Sequence, residues 1–225
     1  HTHSQQTHRL IIMASQTTKG EERVAQMAAL VEKVQYTMEV ADSLPTLEEF
    51  VAEQVKDQIY HLETNLAVLK IYQYHPESVK IPVVVQILLK SLMALPANHF
   101  SLCAFQLSKA ILRDPQVETV FKIADLLETA DFLKFWALAD SQAELLDIVP
   151  GFADAVREHI IGLLSRTYQT INKKLLQDTL HLPLDQLNTV INERGWKRTV
   201  DSITFDANEC NQPRAKKLAQ RVPFD

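Results

Sequence analysis

Catalysis needs reactive groups at fixed spacing, and this sequence offers few. No G-x-S-x-G turn, H-E-x-x-H helix or G-x-x-x-x-G-K-[ST] loop occurs in its 225 residues. The usual nucleophile, zinc and phosphate-loop signatures are therefore missing. Cys103 sits in the apolar run Phe100-Ser-Leu-Cys-Ala-Phe105. Nothing nearby would lower its pKa, so it reads as a buried structural thiol. His61, His75, His99, His159 and His181 are scattered at or near expected helix ends, and no pair has the i, i+4 spacing of a metal-binding face. Glu48-Glu49 reads as charge at a helix start. Asp125 and Glu128 read as a polar contact between helices or as a solvated face. Phe132, Phe135 and Trp136 recur at helical spacing and read as core. The expectation is a protein that is not an enzyme, with no cofactor, no metal and no small-molecule substrate.

The elements that position these residues are mostly helices. Glycine is only 4 of 225, against a usual share of about 7%. That shortage disfavours all-β folds and Gly-rich turns. Residues 1–20 are polar and irregular and read as a disordered tail, partly non-native ahead of Met13-Ala14-Ser15. From Glu21 the apolar period is three and four: Val24, Met27, Leu30, Val31, Val34, Met38. Ser43-Leu44-Pro45-Thr46 is expected to break this helix, with Thr46 and Glu49 forming a capping box for the next. Helices are expected over 62–74, 79–95 with Pro82 in its first turn, 100–112, 117–128, 132–138 behind an Asp131 cap, 143–149 and 152–167. Short connections make such helices antiparallel neighbours. The sum is a HEAT- or TPR-like stack of helix pairs over residues 21–166, without a clean sequence period.

Near residue 167 the pattern changes. Helices are expected over 168–180 and 184–194, broken at Leu182-Pro183, with Gly195 ending the second as a C′ residue. Residues 196–200 and 202–205 are rich in β-formers. Helix, tight break, helix and two small strands is the order of a winged helix, assigned to residues 167–225. A last amphipathic helix is expected over 213–222, with Lys216, Lys217 and Arg221 on its wet side. The fold class is thus all-α for the most part, a helical stack followed by a small winged helix.

Charge narrows the use of that winged helix. The net charge is −5, yet residues 166–225 carry +3 against −8 for residues 1–165. The candidate recognition helix, Leu184 to Arg194, brings Asp185 and Glu193 and one Arg. Acids there would meet DNA phosphate repulsively, although Gln186, Asn188, Asn192 and Arg194 could read bases. A winged helix can instead pair its sheet edge with another chain. The expected interface takes in a sheet edge near Ile203 and Phe205, with Trp196 packing the wing or anchoring a partner. Charge reversal at Lys216, Lys217 and Arg221 should weaken assembly without unfolding the domain; a large loss of melting temperature would refute this. Two distant cysteines, no apolar run of about 18 residues and no secretory signal suggest a reducing compartment without membrane insertion.

Several strings carry a resemblance. They are Thr64-Asn-Leu-Ala-Val-Leu-Lys-Ile-Tyr-Gln-Tyr74 before His75-Pro76, Gln86-Ile-Leu-Leu-Lys-Ser-Leu92 running to Leu95-Pro96, and Asp125-Leu-Leu-Glu-Thr-Ala-Asp-Phe-Leu-Lys-Phe-Trp136. Gly151-Phe152, Tyr168-Gln169 and Gly195-Trp196 continue them in order. Together, over residues 44–210, they resemble the PCI family, scaffold subunits of the proteasome lid, the COP9 signalosome and translation initiation factor three, and most specifically the last. The resemblance implies a HEAT-analogous region and a non-catalytic initiation-factor subunit in the cytoplasm, with a nuclear pool allowed. It implies other subunits of that factor as partners, subunit l directly, and the small ribosomal subunit through the complex. Direct RNA contact stays open. The alternatives are a lid or signalosome subunit and a winged-helix nucleic-acid binder.

Overall fold

A computed structural model describes residues 22–32 and 40–212. The tail 1–20, Val34, Met38 and the helix expected over 213–222 lie outside the described residues. The chain divides into two compact units, His1–Val156 and Arg157–Asp225.

In the first unit, α1 (22–32) buries Met27 and Val31. It is tied to α2 (Val40–Lys56) by the fork of Arg23, whose Nε and Nη2 each donate to the Glu53 carboxylate at 3.0 Å. The break expected at Pro45 does not occur: α2 runs through that proline, and Thr46 and Glu49 lie inside the helix. An interior proline costs a helix about 3 kcal/mol. Leu44, Leu47 and Val51 form one stripe across it and are 8%, 0% and 1% exposed. Each such burial stabilises by about 1.5–3 kcal/mol, enough to outweigh the break.

α3 (Leu62–Tyr74) buries residues nearly all round, including Val68, Leu69, Ile71 and Tyr72. Its start is capped by the His61 ring, whose Nδ1 accepts from Thr64 N–H at 3.3 Å. Below the cap, the buried Gln54 and Asn65 amides exchange hydrogen bonds of 2.9 and 3.3 Å, so neither is left unpaired. α4 (Ile81–Met93) carries Pro82 in its first turn, where no helical N–H is lost. α4 packs against α2, α5 and α6, while α2 meets α3 and α6 meets α7. Alternate helices touching, as well as consecutive ones, is the signature of stacked helix pairs.

Glu48 does not act as helix-start charge. It lies inside α2, 9% exposed, and accepts from Tyr72 Oη on α3 and from Lys80 Nζ before α4, both at 2.5 Å. One carboxylate therefore ties three consecutive helical segments. Burial, then the bond to Glu48, pushes the Tyr72 phenol above its ordinary range.

The helix expected over 100–112 is interrupted. α5 covers His99–Ala104, and a 3-10 turn follows at Ile111–Arg113. Phe100, Cys103, Leu107 and Ile111 still face inward, so a broken chain satisfies the same three-and-four period. The backbone tightens after α5, with Gln106 N–H to Cys103 O and Leu107 N–H to Ala104 O at 3.1 Å. Phe105 is left 83% exposed. α6 (Pro115–Glu128) and α7 (Phe132–Ser141) begin at Asp114 and Asp131, whose carboxylates accept backbone N–H groups as N-caps. Phe135 and Trp136 are core, edge to face at 4.8 Å. Asp125 and Glu128 are exposed. The helix expected over 143–149 is the short α8 (Ala143–Leu146).

α9 (Phe152–Thr167) spans the division, and from Arg157 onward it belongs to the second unit. There the helix expected over 168–180 is in fact β1 (Thr170–Asn172) followed by α10 (Lys173–Leu180). Asn172 separates them: its side chain accepts from Lys174 and Leu175 N–H and starts the helix. α11 (Leu184–Glu193) follows Leu182-Pro183. Gly195 ends it with φ +68°, and Trp196 N–H reaches back to Ile191 O at 3.2 Å, closing a Schellman-type turn. β2 (Lys197–Arg198) and β3 (Ser202–Thr204) complete an antiparallel sheet of order β1-β3-β2. Ile171, Leu176, Leu180, Leu187, Ile191 and Ile203 form its core. After β3, Asn208 and Asn211 donate to Ser165 O at 2.9 and 3.1 Å, securing the outgoing chain to α9.

Candidate interaction surface

The winged helix is built so that its middle strand is used up. Ile171 stands opposite Ile203, Phe205 N–H donates to Gln169 O, and Lys173 N–H donates to Asp201 O, both at 2.9 Å. On the other side Thr199 N–H donates to Ser202 O at 2.9 Å. β3 is therefore hydrogen-bonded on both sides. The edge expected at Ile203 and Phe205 is not an edge, and their side chains, 0% and 5% exposed, are core. Only strand order decides which strand is central, and strand order is a long-range property.

Among the described residues the unpaired edges belong to β1 and β2. Antiparallel ladders alternate inward and outward backbone groups. Gln169, Ile171 and Lys173 point at β3, so Thr170 and Asn172 present their N–H groups outward. Arg198 does the same on β2. The two edges differ in their flanks. Around β1 lie Tyr168 and Leu175, 43% and 47% exposed. β2 consists of Lys197 and Arg198, both exposed, and edge cations are a common guard against strand pairing. Sequence reasoning missed β1; its signal was the β-forming run Tyr168 to Ile171 ahead of a capping asparagine.

Trp196 is half-buried and packs its ring edge to face on Phe205 at 4.7 Å, joining the start of β2 to the end of β3. Lys216, Lys217 and Arg221 lie outside the described residues. On α11, Asp185 and Glu193 are exposed. Arg194 is ion-paired to Glu158 of α9, and Arg198 donates to Asn188 at 3.3 Å. Two cations that a DNA reader could spend on phosphate, Arg194 and Arg198, are thus engaged within the unit itself.

Groups that could do chemistry are dispersed. Burial pushes the Cys103 thiol up to about 11. Cys210 is exposed. Among the described residues no three His, Cys, Asp or Glu side chains converge as metal ligands, and no helix is long and apolar enough to cross a membrane. The described residues include two open depressions. One, of about 470 Å³, lies between Pro115 and Ile148; the other, of about 280 Å³, runs beside Thr170, Lys197, Thr204 and Asp206. Neither brings a histidine or cysteine to its wall.

A stack of helix pairs together with a winged helix is a PCI-like fold. Residues 78–217 match the model of the CSN8/PSMD8/EIF3K family, and the chain belongs to that family. Relatives named eukaryotic translation initiation factor 3 subunit K are similar to it along most of its length. Those of Drosophila erecta and Xenopus laevis are 36% identical over 185 residues, 82% of this chain and 83% and 85% of theirs. The human protein of that name is 35% identical over the same share, 85% of its own length.

Proposed function

We propose that this chain is a non-catalytic scaffold subunit of a translation initiation factor 3 assembly, working in the cytoplasm through binding energy alone. The names borne by its relatives support the assembly. The observation that carries the mechanism is the open β1 edge, with outward N–H groups at Thr170 and Asn172 between exposed Tyr168 and Leu175. A strand from a neighbouring subunit would extend the sheet there: backbone bonds give affinity and the flanking apolar side chains give selectivity. In this reading subunit l is the direct neighbour and the small ribosomal subunit is reached through the complex. Lys216, Lys217 and Arg221 supply a further contact. The internal pairing of Arg194 and Arg198 disfavours nucleic-acid reading by α11.

A paired substitution tests the edge. Thr170→Pro removes an outward N–H and the 3.2 Å hydroxyl contact with Thr204 but leaves the backbone bonds to β3 intact, at a position where strands tolerate proline. Arg198→Pro does the same on β2. In a tagged pull-down at moderate salt, with nuclease in half the sample, Thr170→Pro should lower recovery of other factor subunits by about tenfold or more. Arg198→Pro should retain them, and both variants should keep the parent's circular dichroism. Full recovery with Thr170→Pro would overturn the edge reading. Lid or signalosome subunits in place of factor subunits would overturn the pathway, and loss of all partners on nuclease treatment would overturn the protein-held scaffold.

A further inference from the structure

Between Glu77 and Asp114 the chain carries no carboxylate, while Lys80, Lys90, Lys109 and Arg113 fall within that stretch. The neighbouring helices are acid-rich, with Glu48, Glu49 and Glu53 in α2 and Glu63 in α3. In a chain of net charge −5, this is a local reversal of sign. The same stretch of chain carries the apolar surface left by the interrupted helix. Leu102 and Phe105 are 43% and 83% exposed. They stand three residues apart on α5 and its C-cap, where Phe105 keeps helical dihedrals of −65° and −19°, so they share one face. Lys80 is spent on Glu48 and Lys90 is buried. Lys109 and Arg113 are exposed and hold no ion pair among the described residues.

We propose that this face of the helical unit docks an acidic amphipathic helix of a protein partner: apolar residues at three- and four-residue spacing, flanked by Asp or Glu. Phe105 and Leu102 supply the apolar contact, and Lys109 and Arg113 meet carboxylates at its rim. Charge selects this occupant. The chain's own ends have the wrong sign: residues 1–20 contain no acid, and residues 213–225 hold four Lys and Arg against Asp225. This face lies in the helical unit, away in sequence from the β1 edge of the winged helix.

The test uses the full chain and fluorescence anisotropy with three labelled probes. One is a peptide of about five helical turns with a leucine stripe and flanking glutamates. The second replaces those glutamates with lysines. The third is a uridine oligonucleotide of about twelve residues, because an exposed aromatic beside cations also suits single-stranded RNA. The glutamate peptide should bind saturably and about tenfold or more tighter than the lysine peptide. Phe105→Asp should weaken it by about tenfold. Lys109→Glu with Arg113→Glu should reverse the preference between the peptides. Circular dichroism and melting temperature should stay at parent values in both variants, because the altered side chains are exposed. No binding of the glutamate peptide, binding indifferent to both variants, tighter binding of the RNA, or self-association by sedimentation that Phe105→Asp abolishes would each overturn the proposal.

Discussion

Ile203→Asp should unfold the winged-helix unit and leave the helical stack folded. Ile203 is 0% exposed, lies on the central strand and stands opposite Ile171, itself 3% exposed. Phe205, two residues on, packs against Trp196. An aspartate there forfeits about 1.5–3 kcal/mol of apolar burial and places a charge at a fully buried position. The expected loss is about 4 kcal/mol or more, at the diagnostic end for one substitution. The two tryptophans separate the units, Trp136 reporting on the first and Trp196 on the second. In a Trp136→Phe background, urea unfolding followed by fluorescence should show the Trp196 transition lost. In a Trp196→Phe background, the Trp136 transition should persist. Ile203→Val should cost only about 0.5–1.5 kcal/mol. A folded Ile203→Asp protein that merely loses its partners would make this residue an interface contact after all.

The second large effect concerns Glu48. Its carboxylate is shared between Tyr72 Oη and Lys80 Nζ. Glu48→Ala removes the acceptor of the Tyr72 O–H on a side chain that is 0% exposed, at a cost of about 2–3 kcal/mol with the lost charge-assisted bond. Lys80, 61% exposed at its side chain, returns to water at little cost. Tyr72→Phe removes that hydroxyl, so the double variant should be less destabilised than the sum of the singles by about 1 kcal/mol. The same site sets a pH dependence. The folded phenol titrates above its ordinary value of 10.0. Below that pH both states hold the proton; above it the unfolded chain ionises first, so stability falls as pH rises past 10. Tyr72→Phe should flatten that alkaline decline. Additive single effects in chemical denaturation would show that the bond carries no coupling.

These residues also mark where sequence reasoning succeeds. α3 and α9 were legible to the residue, as were the Asp131 cap and the Gly195 stop. Each depends on apolar period, a capping side chain or one positive φ, all written within a few neighbouring residues. The hairpin of β2 and β3 was legible in outline for the same reason. The family resemblance was equally readable, because it rests on collinear strings.

Other features depended on partners distant in the chain. Pro45 looked like a break because the cost of proline is local, whereas the burial of Leu44, Leu47 and Val51 that outweighs it needs the neighbouring helices. Residues 100–112 satisfied a helical period that a broken segment satisfies equally well, so the exposure of Phe105 was invisible. β1 looked like the first turn of α10 until strand pairing with residues 202–204 claimed it. Sequence by itself determined the helical class, most element positions and the absence of familiar catalytic signatures. Only the tertiary structure decided that β3 is central and β1 an edge, that Glu48 joins three helical segments, and which apolar residues stay on the surface. Periodicity says which residues of an element share a face; the order in which elements pack says which faces and edges remain unpaired.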